Sequence, residues 1–562
     1  MKQKLAAWRS GMLEKHRQTW SADLLAAFVV SVLLIPQSLA YAMLAGLPPQ
    51  VGLYASLLPL LAYAALGTSP ALAVGPVAVL ALMIAQTLGK LPAGVSPSEG
   101  ALVLAAEMGL ILLLAAALRL HALASLLSVP VLHGFETGAT LSIALSQIPV
   151  LIGSPVQGAD VPALLREVWA HGVSWHGPTL AFGIMTCALL LAARRWLPGA
   201  LARLAPLVLL LGAMLLAWQL DALSFGVRLL GGLPSLTLGL SLPRLDAALW
   251  WDMLPNALLL ALMAYVSSLV VAESLARKRG ERINAAAELR ALGLANCMAA
   301  CSGGMPVAAS FSRSVLLHDA GSRTRLAGAL VAVFMLLALW LLADVLAWLP
   351  KTVLSATILV AVLSGLKLQP FGQAWRYARP EALLMLLVTL TVLGVNLSVG
   401  LGLGVLGSIA LLLQRSARPH VAQLGRVYGT EHYRNVERHA VELQADVLGL
   451  RIDESLLFTN ARSLGDVVQG YLAGQPQARR VLLMMSPVNS IDFSGLEALR
   501  ELQATLKLQG VRLDLSEVKG PVLDRLRAGG WQEWFEGQVF LSYHQGMVEG
   551  ERPMRDDPSP VI

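Results

Sequence analysis

Two short stretches carry residue types that suit one kind of chemistry. One reads Gly75-Pro76-Val77-Ala78-Val79, the other Gly303-Gly304-Met305-Pro306-Val307-Ala308-Ala309-Ser310-Phe311-Ser312-Arg313. Each opens a short apolar segment with a proline after small residues. A helix that starts inside a bilayer presents its first N–H groups and the positive end of its dipole to whatever faces it. Two such starts facing each other make a site for an anion, and Arg313 adds a full positive charge at depth. Proline kinks are tolerated in membrane helices. Two at matched places, one beside an arginine, point instead to an inverted-repeat transport site near the midplane.

These segments need a membrane around them, and the composition supplies one. Of 562 residues, 56% are hydrophobic and 14% charged, with mean hydropathy +0.65. Soluble domains carry about 25% charged residues. Candidate spans of roughly 20 residues fall near 22–44, 51–67, 71–88, 100–118, 128–150, 179–195, 203–219, 254–275, 285–303, 306–319, 324–348, 351–366, 380–396 and 397–413. With the N-terminus cytoplasmic, nineteen lysines and arginines fall on inside segments, against Lys90, Arg166, Arg228, Arg244 and Lys351 outside. That asymmetry predicts fourteen spans with both termini inside. The third and tenth spans are third in each set of seven, so the second set runs inverted. The basic N-terminus has no cleavable leader pattern. The net charge of +7 suits an anionic membrane surface and calls for no nucleic acid.

Numerous motifs, in order, resemble the sulfate permease family (SulP, solute carrier family 26 in animals). They include Ile35-Pro36-Gln37-Ser38-Leu39-Ala40-Tyr41-Ala42 with Gly46-Leu47-Pro48-Pro49, Gly67-Thr68-Ser69, Ser146-Gln147 with Gly153, Glu288-Leu289, and Phe311-Ser312-Arg313-Ser314. The resemblance implies seven-plus-seven inverted repeats divided into core and gate domains, with an elevator-like movement between them. It implies an anion between the third and tenth helices: Val77, Ala78 and Val79 on one side, Ser310, Phe311, Ser312 and Arg313 on the other, closed by Gln37 and Tyr41. A homodimer and a bacterial inner membrane are further implications. Sulfate is the first substrate expected. Bicarbonate or chloride exchange, sodium-coupled bicarbonate carriage, dicarboxylates and a channel-like conductor are the alternatives.

Many family members carry a glutamate in the eighth span, where Ser267 stands here, so proton coupling by that route is not expected. Other ionisable residues in apolar runs are Glu107, His133, Glu136, Glu273 and Asp344. Intramembrane charges are functional candidates by default. His133 and Glu136 are candidates for a displaced coupling site, against a plain reading in which they are hydrated or paired with Arg119.

After about residue 414 the pattern changes. The expected layout is a cytoplasmic segment 1–21, the transport domain 22–413, a linker 414–439, an α/β domain 440–548 that resembles the STAS domain the family carries there, and a tail 549–562. Val441–Ala445, Leu448–Ile452, Arg480–Met485 and Val511–Leu515 read as strands and Leu496–Leu508 as a helix. Asp492-Phe493-Ser494-Gly495 matches the STAS loop in which anti-sigma antagonists are phosphorylated. Ser494 is thus a possible regulatory residue, the simpler alternative being a capping box with Glu497. Three cysteines are too few for a metal site or a disulfide framework. With no Gly-x-x-x-x-Gly-Lys loop, neither a cofactor nor an ATP-driven enzyme is expected.

Overall fold

The computed structural model describes residues 20–120, 127–156, 158, 160–197, 199–232, 241–341, 343–417 and 420–549. The basic N-terminal segment before residue 20 and the tail beyond residue 549 lie outside them. The chain forms two compact units that divide between Ser408 and Ile409.

The first unit is helical. Its elements are α1 (Trp20–Leu44), α2 (Pro49–Tyr54), α3 (Leu58–Leu66), β1 (Val74–Gly75), α4 (Ala78–Leu88), α5 (Pro97–Ala117), α6 (Val129–Ile152), α7 (Val161–His171), α8 (Gly177–Trp196) and α9 (Gly199–Gln219). There follow α10 (Ala247–Arg279), α11 (Ala285–Cys301), β2 (Ala308–Ala309), α12 (Phe311–Asp319), α13 (Leu326–Leu341), α14 (Ala343–Leu346), α15 (Lys351–Ser364), α16 (Gln369–Tyr377), α17 (Arg379–Gly394) and α18 (Leu397–Ser416). Among the described residues, eight helices are long and apolar enough to cross a bilayer, and three shorter apolar ones accompany them. Each predicted span coincides with a helix, a broken helix or a strand-led half-helix. The short helices α7 and α16 lie in the connections and were not expected.

Small residues decide how these helices pack. A Cβ at Gly109 of α5 would sit 2.5 Å from Cys297 Sγ of α11, and one at Gly293 would sit 3.0 Å from Leu113 N. Cys297 therefore acts as a small packing residue, as does Gly109 opposite it. On the other side, a Cβ at Gly134 of α6 would lie 2.4 Å from the Met385 carbonyl oxygen of α17, and Thr389 Oγ1 donates to the Gly134 carbonyl at 2.9 Å. Gly138, one turn on, meets Val392 in the same way. Two sets of closely packed helices result, α1, α3, α4, α5 and α10–α13 in one and α6, α8, α15 and α17 in the other, within one continuous core.

The second unit is a six-stranded sheet. Its strands are β3 (Val421–Arg426), β4 (Tyr433–Asn435), β5 (Val447–Ile452), β6 (Arg480–Met484), β7 (Arg512–Ser516) and β8 (Val539–Phe540), in the order β4-β3-β5-β6-β7-β8. Strands β5 to β8 are parallel, and β3 runs antiparallel to both its neighbours. Helices α19 (Ser463–Gly474), α20 (Phe493–Leu508) and α21 (Gly520–Ala528) accompany it, with α22 (Tyr543–Glu549) at the end. Leu450, Leu483 and Leu513 pack with Leu499, Leu502 and Val522 in one core, and Tyr543 and Met547 pack with Leu424 and Leu482 in another.

Two strand expectations need correction. Val441–Ala445 contributes a single bridge, Arg426 to Glu442, rather than a strand. The strand beside β5 is β3, which together with β4 falls in the stretch read as linker. The alternation of Ala422 and Leu424 inward was present in the sequence, just past Pro419, but is too short to set it apart from a linker.

Candidate anion site

The two half-helices meet as the first stretch of sequence suggested, in a different register. Strands β1 and β2 pair antiparallel, Val74 with Ala309 and Gly75 with Ala308. Ser310 N extends the pairing to the Ala73 carbonyl at 3.1 Å. Helix α4 starts at Ala78 and α12 at Phe311. Their starts are equivalent, and Gly75 then pairs with its own counterpart, Ala308, at the crossing. The shared Pro-Val-Ala is not equivalent: Pro76 follows β1, whereas Pro306 precedes β2. Structural equivalence places Val77 with Ser310, Ala78 with Phe311, Val79 with Ser312 and Leu80 with Arg313. Val77 and Ser310 are the two N-caps, and neither side chain caps its helix. The first N–H groups of both helices are thus left for other acceptors.

Arg313 is 1% exposed. Its Nη1 donates to the Pro76 carbonyl at 2.7 Å, tying α12 to the residue before the N-cap of α4. Its Nε and Nη2, and Oε1 of Gln37, are buried with no partner among the described residues. A buried guanidinium with free donors is costly unless an acceptor meets it. Gln37, Tyr41, Ser312 and Arg313 share a cavity of 460 Å³ whose far wall carries Arg194 of α8 and Thr357 of α15. Val77, Ala78 and Val79 stand half-buried at the start of α4 and do not line this cavity. Ser310 and Phe311 lie just outside it too; Ser310 Oγ is 3.2 Å from Ser312 Oγ, and Phe311 is exposed.

Several residues that hold the crossing were not singled out as site residues. Asn296 of α11 accepts from Val307 N at 2.8 Å through Oδ1 and donates to the Val307 carbonyl at 3.1 Å, fixing the entry to β2. Ser314 Oγ accepts from Ala73 N at 2.9 Å, and Ser268 Oγ accepts from Ala309 N at 2.9 Å. Glu288 holds the approach to β1. It is 4% exposed and accepts from Tyr63 Oη at 2.7 Å, Thr68 N at 2.7 Å, Thr68 Oγ1 and Ser69 N. A carboxylate among so many donors is fully satisfied, which explains the Gly67-Thr68-Ser69 and Glu288 motifs together.

The coupling candidates sit apart from this arrangement. Ser267 Oγ donates to the Ala264 carbonyl of its own helix at 3.2 Å, while its neighbour Ser268 makes the contact with β2. His133 Nδ1 lies 3.7 Å from Glu136 Oε2, and the two side chains are 35% and 48% exposed. Glu136 thus lies beside His133, and among the described residues it makes no ion pair with Arg119. Glycines 134 and 138 turn one face of α6 against α17, which leaves Glu136 on the other. By contrast Glu107, at the middle of α5, is 2% exposed and neither of its oxygens has a partner among the described residues.

In the second unit the capping expectation fails. The N-cap of α20 is Asp492, whose Oδ1 accepts from Gly495 N at 2.9 Å while its Oδ2 accepts from Phe458 N at 2.7 Å. Ser494 lies inside the helix and is exposed.

A helical membrane unit crossed by two strand-led half-helices, with a buried arginine at their meeting point and a mixed α/β sheet after the last helix, defines a multi-pass membrane protein of the anion-transporter class. The model of the sulfate permease family matches residues 21–388 and that of the STAS domain residues 439–546. The chain belongs to the sulfate permease family. It is 32% identical over 552 residues to a probable sulfate transporter of Mycobacterium tuberculosis, covering 96% of this chain and 97% of that one. It is 29% identical over 559 residues to sulfate transporter 4.1, chloroplastic, of Arabidopsis thaliana, covering 93% and 80%. Its fold is similar to that of the murine Slc26a9 anion transporter in the inward-facing state, with TM-score 0.84 at 22% identity, over 94% of this chain and 91% of that one.

Proposed function

We propose that the protein is a secondary active transporter of a small inorganic anion, sulfate first. The anion is held between the starts of α4 and α12, by the N–H groups of Ala78, Val79, Phe311 and Ser312 and by the free donors of Arg313. Gln37 and Tyr41 close the site from α1. The observation that carries this reading is the pair of uncapped helix starts facing each other across β1 and β2 with a buried guanidinium beside them. Relatives named as sulfate transporters support the choice of sulfate. The site has hydroxyls, N–H groups and a cation, and no carboxylate lines its cavity except Asp319. Asp319 ends α12, nearly two turns from Arg313.

Transport proceeds by displacement of the bundle containing α4 and α12 against the bundle containing α6, α8 and α15. The protein lies in a cell membrane, the inner membrane of a bacterium, with both termini cytoplasmic, a topology that the Lys/Arg asymmetry supports. It works as a homodimer. Uptake of labelled sulfate into proteoliposomes tests the reading, under imposed proton or sodium gradients or with internal bicarbonate or chloride. Saturable sulfate uptake driven by one of these is expected. Saturable flux of bicarbonate or a dicarboxylate without sulfate would keep the carrier and overturn the substrate; ohmic current would overturn the carrier.

A further inference from the structure

A second cationic cavity lies wholly within the sheet unit. It is an open cavity of 400 Å³ lined by Arg434, Asn435, Arg438, Arg451, His420 and His439, with Asp453 its one carboxylate among the described residues; Arg434, Arg438, His420 and His439 are exposed. From these walls we infer an oxyanion-binding pocket that takes a phosphate-type group, either free or as a lipid headgroup.

It lies at the edge strand β4 and takes residues from both faces of the sheet. Arg434 lies on β4 opposite Gly425 of β3, and Arg451 lies on β5 opposite Ala422 of the same strand. Asn435 folds the chain back over them. Its Oδ1 accepts from Glu437 N at 2.8 Å, and its carbonyl accepts from Arg438 N at 3.2 Å and His439 N at 3.1 Å. This turn returns Arg438 and His439 to the side of Arg434. Asp453 is already committed: Arg451 Nη2 donates to its Oδ2 at 2.9 Å, and His420 Nδ1 lies 2.8 Å from the same oxygen. Burial works to raise the Asp453 pKa, yet hydrogen bonds from Arg451 and His420 hold it below its ordinary value. The hydrogen bond to Asp453 likewise holds the Arg451 guanidinium charged. One carboxylate thus offsets one arginine. Among the described residues, the side chains of Arg434, Arg438 and His439 have no acceptor.

Two uncommitted arginine forks and an imidazole around one space match the oxygens of a phosphate or sulfate. The space exceeds a bare ion, which suits a substituted phosphate.

Hydrogen exchange of the full chain in nanodiscs reads this pocket separately from the membrane site. Inorganic phosphate is added to phosphatidylcholine discs, and in a second arm phosphatidic acid is incorporated without phosphate. At saturation the peptide covering 434–439 is expected to exchange about tenfold more slowly, equivalent to about 1.4 kcal/mol, and R434Q/R438Q to abolish the slowing. Slowing with phosphate supports a free ligand, and slowing with phosphatidic acid alone supports the headgroup. No slowing in either arm, or slowing undiminished in R434Q/R438Q, would overturn the pocket. Should the double variant also speed exchange in 480–484, the sheet itself has loosened and R438Q alone is measured instead.

Discussion

The two half-helices that meet at the crossing share a backbone plan and differ in chemistry. At the start of α4 the side chains are Val77, Ala78, Val79 and Leu80. At the equivalent places of α12 they are Ser310, Phe311, Ser312 and Arg313. The first helix offers only N–H groups and a dipole; the second adds hydroxyls and the charge. Even the charge serves both, since Arg313 Nη1 binds the Pro76 carbonyl. A repeated scaffold therefore needs two copies for geometry but only one for chemistry. It also misleads the eye: the repeated Pro-Val-Ala lies at inequivalent positions, and strand pairing shows the true register.

The sharpest way to break this asymmetry is at Arg313. Arg313→Gln is expected to lower sulfate uptake about a hundredfold, since losing charge-assisted hydrogen bonds costs about 1.5–3 kcal/mol. Substituting the equivalent residue, Leu80→Met, is expected to leave uptake within about twofold, as volume-conserving swaps do. Comparable losses from both, in initial-rate assays with expression matched, would erase the distinction between the halves.

Next in size are the groups that hold the crossing. Glu288→Gln removes a carboxylate that satisfies Tyr63, Thr68 and Ser69, so thermal unfolding should show a loss of about 2–3 kcal/mol. Glu107→Leu makes the opposite test, because that carboxyl group is buried without a partner among the described residues. Replacing it with an apolar side chain is expected to stabilise the protein by about 1–2 kcal/mol, read as a higher Tm in the same detergent. If Glu107→Leu destabilises and also changes the pH dependence of uptake, Glu107 has a transport role.

The smallest effects are expected at the coupling candidates. Ser267→Ala and Glu136→Gln should each change uptake at pH 6 and pH 8 by less than about twofold, because an exposed pair such as His133–Glu136 contributes about 0–1 kcal/mol. A selective loss at one pH would return either residue to the mechanism.

The placement of the membrane helices was readable because length and hydropathy alone decide it, and Gly-Pro interruptions mark where a helix must start late. Arg313 was readable because an arginine in an apolar run has few tolerable settings. The roles of Asn296, Ser268 and Ser314 were not. A small polar residue in a membrane helix reads the same whether it bonds its own helix, as Ser267 does, or a strand from another, as Ser268 does. Only the crossing separates these neighbours. In the sheet unit, β3 is hard to read for a related reason: its partner strands come from later in the chain, and Val441–Ala445 carries an equally good alternation yet makes only one bridge to it. Gly449 carries no local signal either, yet a Cβ there would lie 1.8 Å from Tyr543 Oη.

The central claim is that the anion sits between the two helix starts. Selenate replaces sulfate with nearly the same shape, and selenium scatters anomalously. In crystals of the full chain grown with selenate, the strongest anomalous peak is predicted within hydrogen-bonding distance of the Val79 and Ser312 N–H groups and the Arg313 guanidinium, and absent in Arg313→Gln. A selenium peak elsewhere in the membrane unit, or one at the crossing that persists unchanged in Arg313→Gln, would contradict the account.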